Sequence, residues 1–511
     1  MIIREMQSKL ATWSTEDPNR KFDRLLRLIA SKEWLNEAAR ITLTSKGART
    51  PGIDGVNGNI MLKDLSAHIE ALRDELLSGS YQPLPVRRIY IPKPNGKQRP
   101  LGIPCLRDRI VQRAMLMAME PIWESDFHGQ SYGFRPERSV HHAIRTIKLQ
   151  LQDGKDNATA GRWVIEGDLS SYFDTVHHRI LMKAVRKRIC DRRFLNLLWV
   201  ILKSGLIDNN LFRATDQGVP QGGVISPLLS NIMLHEFDSW MEETFLNKKV
   251  RKDRWAWNHG IKIGRPIAVK ENRQWKPAIA YCRYADDFVV IVKGTKAQAD
   301  EVREQCRAHL EGVLRLTLNM EKTHITHVND GFVFLGHHVI RKRGSNGKHR
   351  VVTNIPWDRY RRFVEKIVRQ LSGNYNISSV DMVESLNQQI KGWVNFYQYT
   401  DYTATIYRKI DQALFWKFGH WLARKYKIGF RKLMPKYYRT AGNGIAKTWI
   451  VNSKTFPSGV YLQCGLKRLV SSFKGQFRWR TPMSNPYLPQ TEERLICESY
   501  YAEVAFAVSN C

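Results

Sequence analysis

Cysteine is scarce in this sequence, and the few cysteines are not grouped. The chain of 511 residues contains seven cysteines, none of them in a Cys-x-x-Cys pair. Closely spaced pairs are typical of structural zinc sites, and an even, regularly spaced set is typical of small disulfide-linked domains. The sequence therefore argues against both kinds of structure and fits a reducing compartment.

Long apolar runs are also missing. No stretch approaches the roughly 18 consecutive apolar residues that span a bilayer, and the first residues lack the apolar segment of a signal peptide. Internal repeats and low-complexity tracts are absent as well. We therefore expect a cytoplasmic protein, associated with the nucleoid and without a membrane partner.

Acidic residues are few relative to basic ones. The chain has 48 Asp and Glu against 81 Lys and Arg, which gives a formal charge of +33, while 43% of its residues are hydrophobic. The hydrophobic fraction suffices for a folded core, and the length suggests roughly three domains. So large a positive excess indicates a polyanionic partner, for which nucleic acid is the usual identity. An anionic membrane surface is the weaker alternative, because no lipidation motif or amphipathic anchor is visible.

The apolar pattern predicts an α+β fold. A hairpin with a basic tip is expected over residues 86–103, a short strand over 163–168, and a second hairpin over 278–292, with helices between them. This order predicts an antiparallel sheet, as in polymerase palms. From about residue 355 the pattern is helical, so an all-helical domain is expected to follow.

Three carboxylates occupy the ends of predicted strands. Asp168 closes the strand over 163–168, and Asp286 and Asp287 stand together at the turn of the second hairpin. Adjacent acids repel each other unless a cation lies between them. Nucleotidyl transfer uses two divalent cations about 3.5–4 Å apart, and Mg²⁺ prefers carboxylates, waters and phosphates as ligands. The three residues are therefore candidate ligands of two Mg²⁺ ions, with Mn²⁺ as a substitute; the alternative is a solvated Asp-Asp turn.

Several motifs follow one another in a definite order along residues 20–450. They are Ile91–Pro104, Tyr132–Pro136, Asp168–Asp174, Gly218–Asn231, Tyr284–Asp287, Leu318–Thr323 and Phe332–His337. Together they resemble the motifs of reverse transcriptases, and in particular of the branch encoded by group II introns. The resemblance implies a right-hand polymerase with fingers and palm, followed by a helical thumb and maturase domain.

The resemblance also implies roles for individual residues. Asp168, Asp286 and Asp287 would be the catalytic residues and would hold the metal ions. The residues implied in nucleotide binding are Lys93, Arg99, Phe173, Gln221 and Gly222.

Each of these roles has a plainer alternative. Lys93 and Arg99 would clamp the triphosphate, or they belong to a solvated basic turn. Phe173 would exclude a ribose 2′-hydroxyl, or it packs in the core. Lys322 would donate a proton to pyrophosphate, or it is a surface lysine. The resemblance places a primer grip at Leu335–His337, that is, Leu335, Gly336 and His337.

The carboxy-terminal third is basic, with aromatic residues between the basic ones. Only one acidic residue, Asp411, lies between Arg408 and Arg439, and Leu386–Tyr397 resembles the thumb and maturase domain. This pattern favours an RNA-binding face with stacking residues over an ordinary charged helical exterior. The candidate RNA-binding residues are Arg408, Lys417, Arg424, Lys425, Arg431 and Lys432.

Four domains are predicted from these observations. They are an amino-terminal template-gripping extension (1–65), fingers and palm (66–350), a helical thumb and maturase domain (351–450) and a nucleic-acid-binding tail (451–511). For the extension, a plain packing role is equally open. We expect the tail to lack an endonuclease, because it contains neither cysteine pairs nor a histidine cluster.

The expected function is RNA-directed DNA synthesis together with assisted splicing and mobility of a group II intron. The implied partners are intron RNA, an RNA template with a DNA primer, target DNA and deoxynucleoside triphosphates. Two alternatives stay open. One is a free-standing or defence-associated reverse transcriptase without an intron, and the other is an RNA-binding maturase whose polymerase is idle.

Overall fold

The fold is described from a computed structural model, which covers most of the chain. The described residues are 3–92, 96, 98–151, 162–208, 211–214, 216–219, 222–246, 256–258, 261–263, 269–271, 274–344, 347, 349–440, 447–455, 461–465, 467, 469, 477 and 484–488. For the strands within 256–276, and for 440, 452–455 and 461–465, only the backbone is described.

Five helices begin the described chain, and helices and strands are mixed after them. The helices are α1 (Ile3–Glu16), α2 (Leu25–Ile29), α3 (Lys32–Thr44), α4 (Gly58–Met61), α5 (Leu65–Ser78), α6 (Leu106–Glu124), α7 (Val140–Leu151), α8 (Tyr172–Thr175), α9 (His178–Val185), α10 (Arg192–Leu202), α11 (Ser226–Met241), α12 (Lys296–Gly312), α13 (Trp357–Leu371), α14 (Ser379–Tyr397), α15 (Thr403–Tyr426) and α16 (Phe430–Tyr437). The strands are β1 (Val86–Pro92), β2 (Gln98–Ile103), β3 (Arg162–Gly167), β4 (Leu206–Asp208), β5 (Leu211–Arg213), β6 (Ala256–Asn258), β7 (Ile261–Ile263), β8 (Val269–Glu271), β9 (Gln274–Lys276), β10 (Ala278–Tyr284), β11 (Asp287–Lys293), β12 (His324–His327), β13 (Phe332–Phe334), β14 (His337–Arg343), β15 (His349–Asn354), β16 (Tyr438–Thr440), β17 (Lys447–Thr455) and β18 (Tyr461–Gly465).

The chain divides into two compact units. The first is Met1–His327 together with a return from Trp479 onward, of which 484–488 is described, and the second is Val328–Arg478. The division falls after β12 because β13–β15 belong with the helices that follow them. Thr353 on β15, for example, donates through its backbone N–H and its hydroxyl to Asp401.

A four-stranded antiparallel sheet forms the centre of the first unit, in the order β10-β11-β3-β12. Strands β10 and β11 are apolar on both faces and almost wholly buried, as expected where helices cover both sides of a sheet. Helix α12 begins with a capping box formed by Thr295 and Gln298, which satisfies backbone donors at its first turn. A second sheet, in the order β2-β1-β4-β5, carries the predicted basic hairpin.

The amino-terminal helices pack on the long, buried helix α6. The Ser14 hydroxyl donates to the carbonyl of Ile122 at 2.8 Å, and the Trp34 indole N–H donates to the carbonyl of Ala114 at 2.9 Å. Residues of α1–α6 share one hydrophobic core with the central sheet. The predicted extension is thus an integral part of the first unit, while a grip on template RNA stays a prediction.

In the second unit, helices α13–α16 enclose a core of their own. Strands β13-β14-β15 form an antiparallel sheet before these helices, and β16-β17-β18 are paired after them. The predicted α+β class, with a largely helical region after the sheets, is confirmed. The expectation that strands stop near 355 was wrong, since β16–β18 follow the last helix. None of the described helices is both long and apolar enough to cross a membrane.

Candidate active site

The two adjacent acids lie at a tight turn between β10 and β11. Tyr284 pairs with Asp287 across the hairpin, which leaves Ala285 and Asp286 to form the turn. Ala285 has a φ of +56°, in the left-handed region. Residues other than glycine occupy this region at a cost of about 1–3 kcal/mol, and such residues cluster at functional sites. The turn is therefore held in place by its surroundings.

The third acid follows the neighbouring strand. β3 runs antiparallel to β11, and Gly167 is paired with Phe288. Asp168, which directly follows β3, therefore lies at the same end of the sheet as Asp287. A Cβ on Gly167 would lie 2.1 Å from the tip of the Phe288 ring, so this ring packs over Gly167 and occupies the space of a side chain there.

Burial and mutual repulsion dominate the electrostatics of the three acids. Burial, with added repulsion from Asp286 and Asp168, raises the pKa of Asp287 to about 7. Burial and the charge of Asp168 also raise the pKa of Asp286, and the positive charge of Arg99 opposes this rise. Such a set of half-buried acids favours a bound cation, because a cation offsets both the desolvation and the repulsion.

One cation already lies beside Asp168. The Lys322 ammonium donates to Asp168 Oδ2 at 2.8 Å, and this bond raises the pKa of Lys322. The Asn319 amide donates to the same oxygen at 3.3 Å. Lys322 is thus part of the site in this structure, although most of its side chain is exposed.

The three carboxylates fit a magnesium site by their chemistry, since hard carboxylate oxygens are the ligands that Mg²⁺ prefers. Over the part of the chain that the structure describes, no group of three or more His, Cys, Asp and Glu side chains is placed so that it alone could hold a metal ion. An open set of carboxylates is nevertheless what Mg²⁺ sites in polymerases use, because waters and substrate phosphates complete the coordination.

The aromatic residue Phe173 follows Asp168 in the sequence and lies in helix α8. Phe173 is half-buried in α8, with the ring of Tyr172 at 5.5 Å and that of Phe134 at 6.3 Å between centroids. Its carbonyl accepts a hydrogen bond from Val219 N–H at 2.7 Å. Phe134 is 50% exposed and has a φ of +57°. The structure therefore packs the ring of Phe173 against Tyr172 and Phe134.

The glycine-rich loop lies against the basic hairpin. Gly222 has a φ of +111°, and a Cβ there would lie 2.3 Å from the carbonyl oxygen of Gly102 on β2. Arg99 lies on the same strand as Gly102. The structure thus places Gly222 against the strand that carries Arg99, whose charge acts on Asp286. Lys93 and Gln221 lie outside the described residues.

The predicted primer grip is a hairpin turn of the second unit. Leu335 and Gly336 join β13 to β14 with φ values of +47° and +78°. The carbonyl of Gly336 accepts a hydrogen bond from the Tyr397 hydroxyl at 3.2 Å. His337 is buried against the rings of Phe396 and Tyr397. The turn is therefore fixed to helix α14, and its role towards a primer stays a prediction.

Most of the predicted RNA-binding residues are exposed on α15 and α16. The exposed ones are Arg408, Lys417, Arg424, Arg431 and Lys432. Lys425 differs, since its ammonium donates to the carbonyls of Tyr375 and Ile377 at 2.7 Å each. Trp416 is 47% exposed and stacks on Phe430 at 5.4 Å between centroids. Lys417, Arg424, Arg431 and Lys432, together with Trp416, are called the basic surface below, and Arg408 lies on the opposite face of α15.

Sequence reasoning missed the residues that hold the acidic turn. Arg283, Asp238 and Asn231 are buried behind it, and Arg283 donates hydrogen bonds to both of the others. A signal was present, because Arg283 interrupts a strand that is otherwise apolar or aromatic, and Asp238 lies among apolar residues of α11. A charge at a buried position usually has a partner.

Comparison with known proteins places this geometry in a family. Residues 91–339 match the family model described as reverse transcriptase (RNA-dependent DNA polymerase), and residues 360–438 match that of the group II intron maturase-specific domain. The group II intron-encoded protein LtrA of Lactococcus lactis subsp. cremoris is 30% identical over 441 residues, which is 75% of this chain and 72% of LtrA. The chain belongs to the group II intron-encoded reverse transcriptases.

Two further relatives extend the comparison. Protein YkfC of Escherichia coli (strain K12) is 68% identical over 371 residues, which covers 73% of this chain and 97% of YkfC. The putative COX1/OXI3 intron 2 protein of Saccharomyces cerevisiae is 29% identical, over 77% of this chain and 50% of its own length. The two family models together cover a part of each compact unit of this reverse transcriptase.

Proposed function

We propose that this group II intron-encoded reverse transcriptase synthesises DNA on an RNA template with Asp168, Asp286 and Asp287 as the ligands of two Mg²⁺ ions. The observation that carries the proposal is the sheet edge at which the three carboxylates meet, with the pKa of Asp287 raised to about 7 by burial and by its neighbours. Mn²⁺ is expected to substitute, because its ligand preferences are similar.

The chain's own residues have separate tasks in this reaction. When bound, the two ions activate the primer 3′ oxygen and neutralise charge on the triphosphate. Arg99 supplies a further positive charge on the fingers side, where charge-assisted hydrogen bonds to phosphate are strong, and Lys93 is proposed for the same task. Lys322 holds a proton at Nζ beside Asp168, which suits proton delivery to the leaving pyrophosphate.

The nucleotide pocket is proposed to select deoxyribose through Phe173. Its ring has packed neighbours in Tyr172 and Phe134, so it cannot move away from an added 2′-hydroxyl without disturbing them. Gln221 and Gly222 would let the backbone approach the nucleotide, since glycine leaves room there. The turn over Leu335–His337 is proposed to hold the primer.

The second unit is proposed to bind intron RNA and to assist its splicing and mobility, with target DNA as a further partner. The basic surface and Trp416 support this, because RNA is recognised through phosphates and through stacking on aromatic rings. We propose the four domains 1–65, 66–350, 351–450 and 451–511 as functional divisions, with template binding in the first and nucleic-acid binding in the last.

Primer extension tests the proposal directly. The full-length protein, given an RNA template, a DNA primer, deoxynucleotides and Mg²⁺, should extend the primer, and Asp287→Asn should abolish extension. The matched control is Asp330→Asn, which removes an acid from an exposed turn of the second unit. Extension by Asp287→Asn at the native rate would reject the metal assignment.

A further inference from the structure

A buried arginine lies directly behind the acidic turn. Arg283 is the penultimate residue of β10 and is 0% exposed. Its Nε and Nη2 donate to the two carboxylate oxygens of Asp238 on α11, at 2.8 and 2.6 Å. Asp238 is also fully buried and accepts a hydrogen bond from the Tyr281 hydroxyl at 2.7 Å. Buried ion pairs add little net stability over apolar packing, so this pair calls for another explanation.

The remaining donor of Arg283 reaches the turn itself. Nη1 donates to the carbonyl oxygen of Ala285 at 2.9 Å and to Asn231 Oδ1 at 3.1 Å. Ala285 is the residue with the left-handed backbone. A charge-assisted hydrogen bond on its carbonyl fixes the orientation of the peptide that leads into Asp286. Arg283 therefore links the backbone that carries the two acids to helix α11.

The other side of the turn is closed by Gly133. A Cβ on Gly133 would lie 2.2 Å from the backbone nitrogen of Ala285. The Asn231 amide donates to the carbonyl of Gly133 at 2.8 Å, so Asn231 bridges Gly133 and Arg283. With Arg283 on one side and Gly133 on the other, the turn has little room for a different backbone path.

We propose that Arg283, fixed by its ion pair with Asp238, is a positioning residue that holds the Ala285–Asp286 turn so that Asp286 and Asp287 face Asp168. This inference rests on the proposed function, in which these acids bind metal ions. Lysine cannot replace arginine in this role, because its ammonium is a point charge without the planar fork that reaches Asp238, Asn231 and Ala285 at once.

The test compares Arg283→Lys with the native full-length protein. Direct Mn²⁺ binding is measured by electron paramagnetic resonance, and primer extension is followed against Mg²⁺ concentration, with kcat and KM determined at saturating Mg²⁺. We expect Arg283→Lys to weaken Mn²⁺ binding and to raise the Mg²⁺ requirement by about ten- to hundredfold, as loss of outer-shell support for metal ligands does. Affinity for the primer–template should stay native, and added Mg²⁺ should restore part of the rate.

A second variant guards against misfolding. Arg283→Met combined with Asp238→Leu and Tyr281→Phe removes both charges and the hydroxyl that donates to Asp238, so none of the three is left buried without its partner. It should fold, with a Tm close to the native value, and it should show the same raised metal requirement, because nothing then holds the Ala285 carbonyl.

The matched control is Arg188→Lys. Arg188 is another buried arginine of the first unit, 3% exposed, and it joins Asp126 to carbonyls of the amino-terminal segment. It contacts no residue of the turn, so its replacement should lower stability without changing Mn²⁺ affinity.

Two results would overturn the inference. The first is a folded Arg283 variant with native Mn²⁺ affinity and native Mg²⁺ requirement. The second is an equal rise in metal requirement for Arg188→Lys, since general loss of stability would then explain the effect. Failure of the proposed function looks different, because the native protein would then neither bind Mn²⁺ nor extend a primer, and both proposals would fall together.

Discussion

The acidic turn of the first unit and the basic surface of the second are both charged sites, but they are built differently. At the turn, a few half-buried acids are held by fully buried partners, with Arg283 and Asp238 at 0% exposure. On the basic surface, the charged groups are exposed and separated along α15 and α16. A site of the first kind depends on the positions of single atoms, whereas one of the second kind depends on summed charge.

The largest expected effect comes from reversing charge on the basic surface. Lys417, Arg424, Arg431 and Lys432 changed together to Glu should weaken binding of structured intron RNA by about 1,000-fold at moderate salt. Each lost phosphate contact lowers the slope of log K against log salt by about 0.7 to 0.9. Filter binding at several salt concentrations measures both quantities.

The control for charge reversal is a pair of arginines of the first unit. Arg303 and Arg307 on α12 already lie in ion pairs with neighbouring acids such as Glu304, so reversing them should leave RNA affinity nearly native. An unchanged salt slope in the fourfold variant would mean that the basic surface does not contact RNA.

Sugar selection tests the fine geometry near the acids. Phe173→Ala should raise ribonucleotide incorporation relative to deoxynucleotide incorporation by about ten- to hundredfold, because pockets reject an added group by steric fit to that extent. Single-nucleotide extension with each type of triphosphate gives the ratio. If the ratio stays native while the Tm falls, Phe173 serves only the packing around Tyr172 and Phe134.

The acids should destabilise the protein when no metal is bound. Burial and repulsion raise the pKa of Asp287 to about 7, against an ordinary value of 3.8. Each unit of such a shift corresponds to about 1.4 kcal/mol, which solvent screening reduces. Asp287→Asn should therefore raise the Tm of the metal-free protein at neutral pH by a few degrees. Calorimetry in the presence of a chelator measures both Tm values. A Tm of Asp287→Asn equal to or below that of the native protein would contradict this expectation.

The smallest expected effect concerns the segment 484–488, which contacts the first unit. The Tyr487 hydroxyl donates to Glu120 on α6, and the Asn485 amide donates to the Ser125 hydroxyl at 3.0 Å. Tyr487→Phe leaves Glu120 without this donor and should cost about 1–2 kcal/mol of unfolding free energy. Tyr402→Phe, at a residue that is 69% exposed, is the control and should have no measurable effect. Equal stability of the two variants would argue that 484–488 does not hold the first unit.

The sequence predicted what depends on local pattern. The strands β3, β10 and β11 and the placement of Asp168, Asp286 and Asp287 at their ends follow from apolar runs broken by acids. The role of Arg283 did not follow, because its partners Asp238 and Asn231 are on α11 and meet it only in the folded chain. Strands β16–β18 were missed because the basic, aromatic stretch before them dominates the pattern, and the return of 484–488 to α6 leaves no local signal.

One comparison of two variants in two assays tests the central claim most directly. The claim is that the acidic turn serves polymerisation and the basic surface serves binding of intron RNA. Asp286→Asn with Asp287→Asn, and the fourfold charge reversal of the basic surface, are each assayed for primer extension on a short template and for binding of structured intron RNA. We expect the first variant to lose extension and keep RNA affinity, and the second to keep extension and lose RNA affinity. Loss of both activities in each variant would contradict the account, because polymerisation and intron binding would then depend on the same residues.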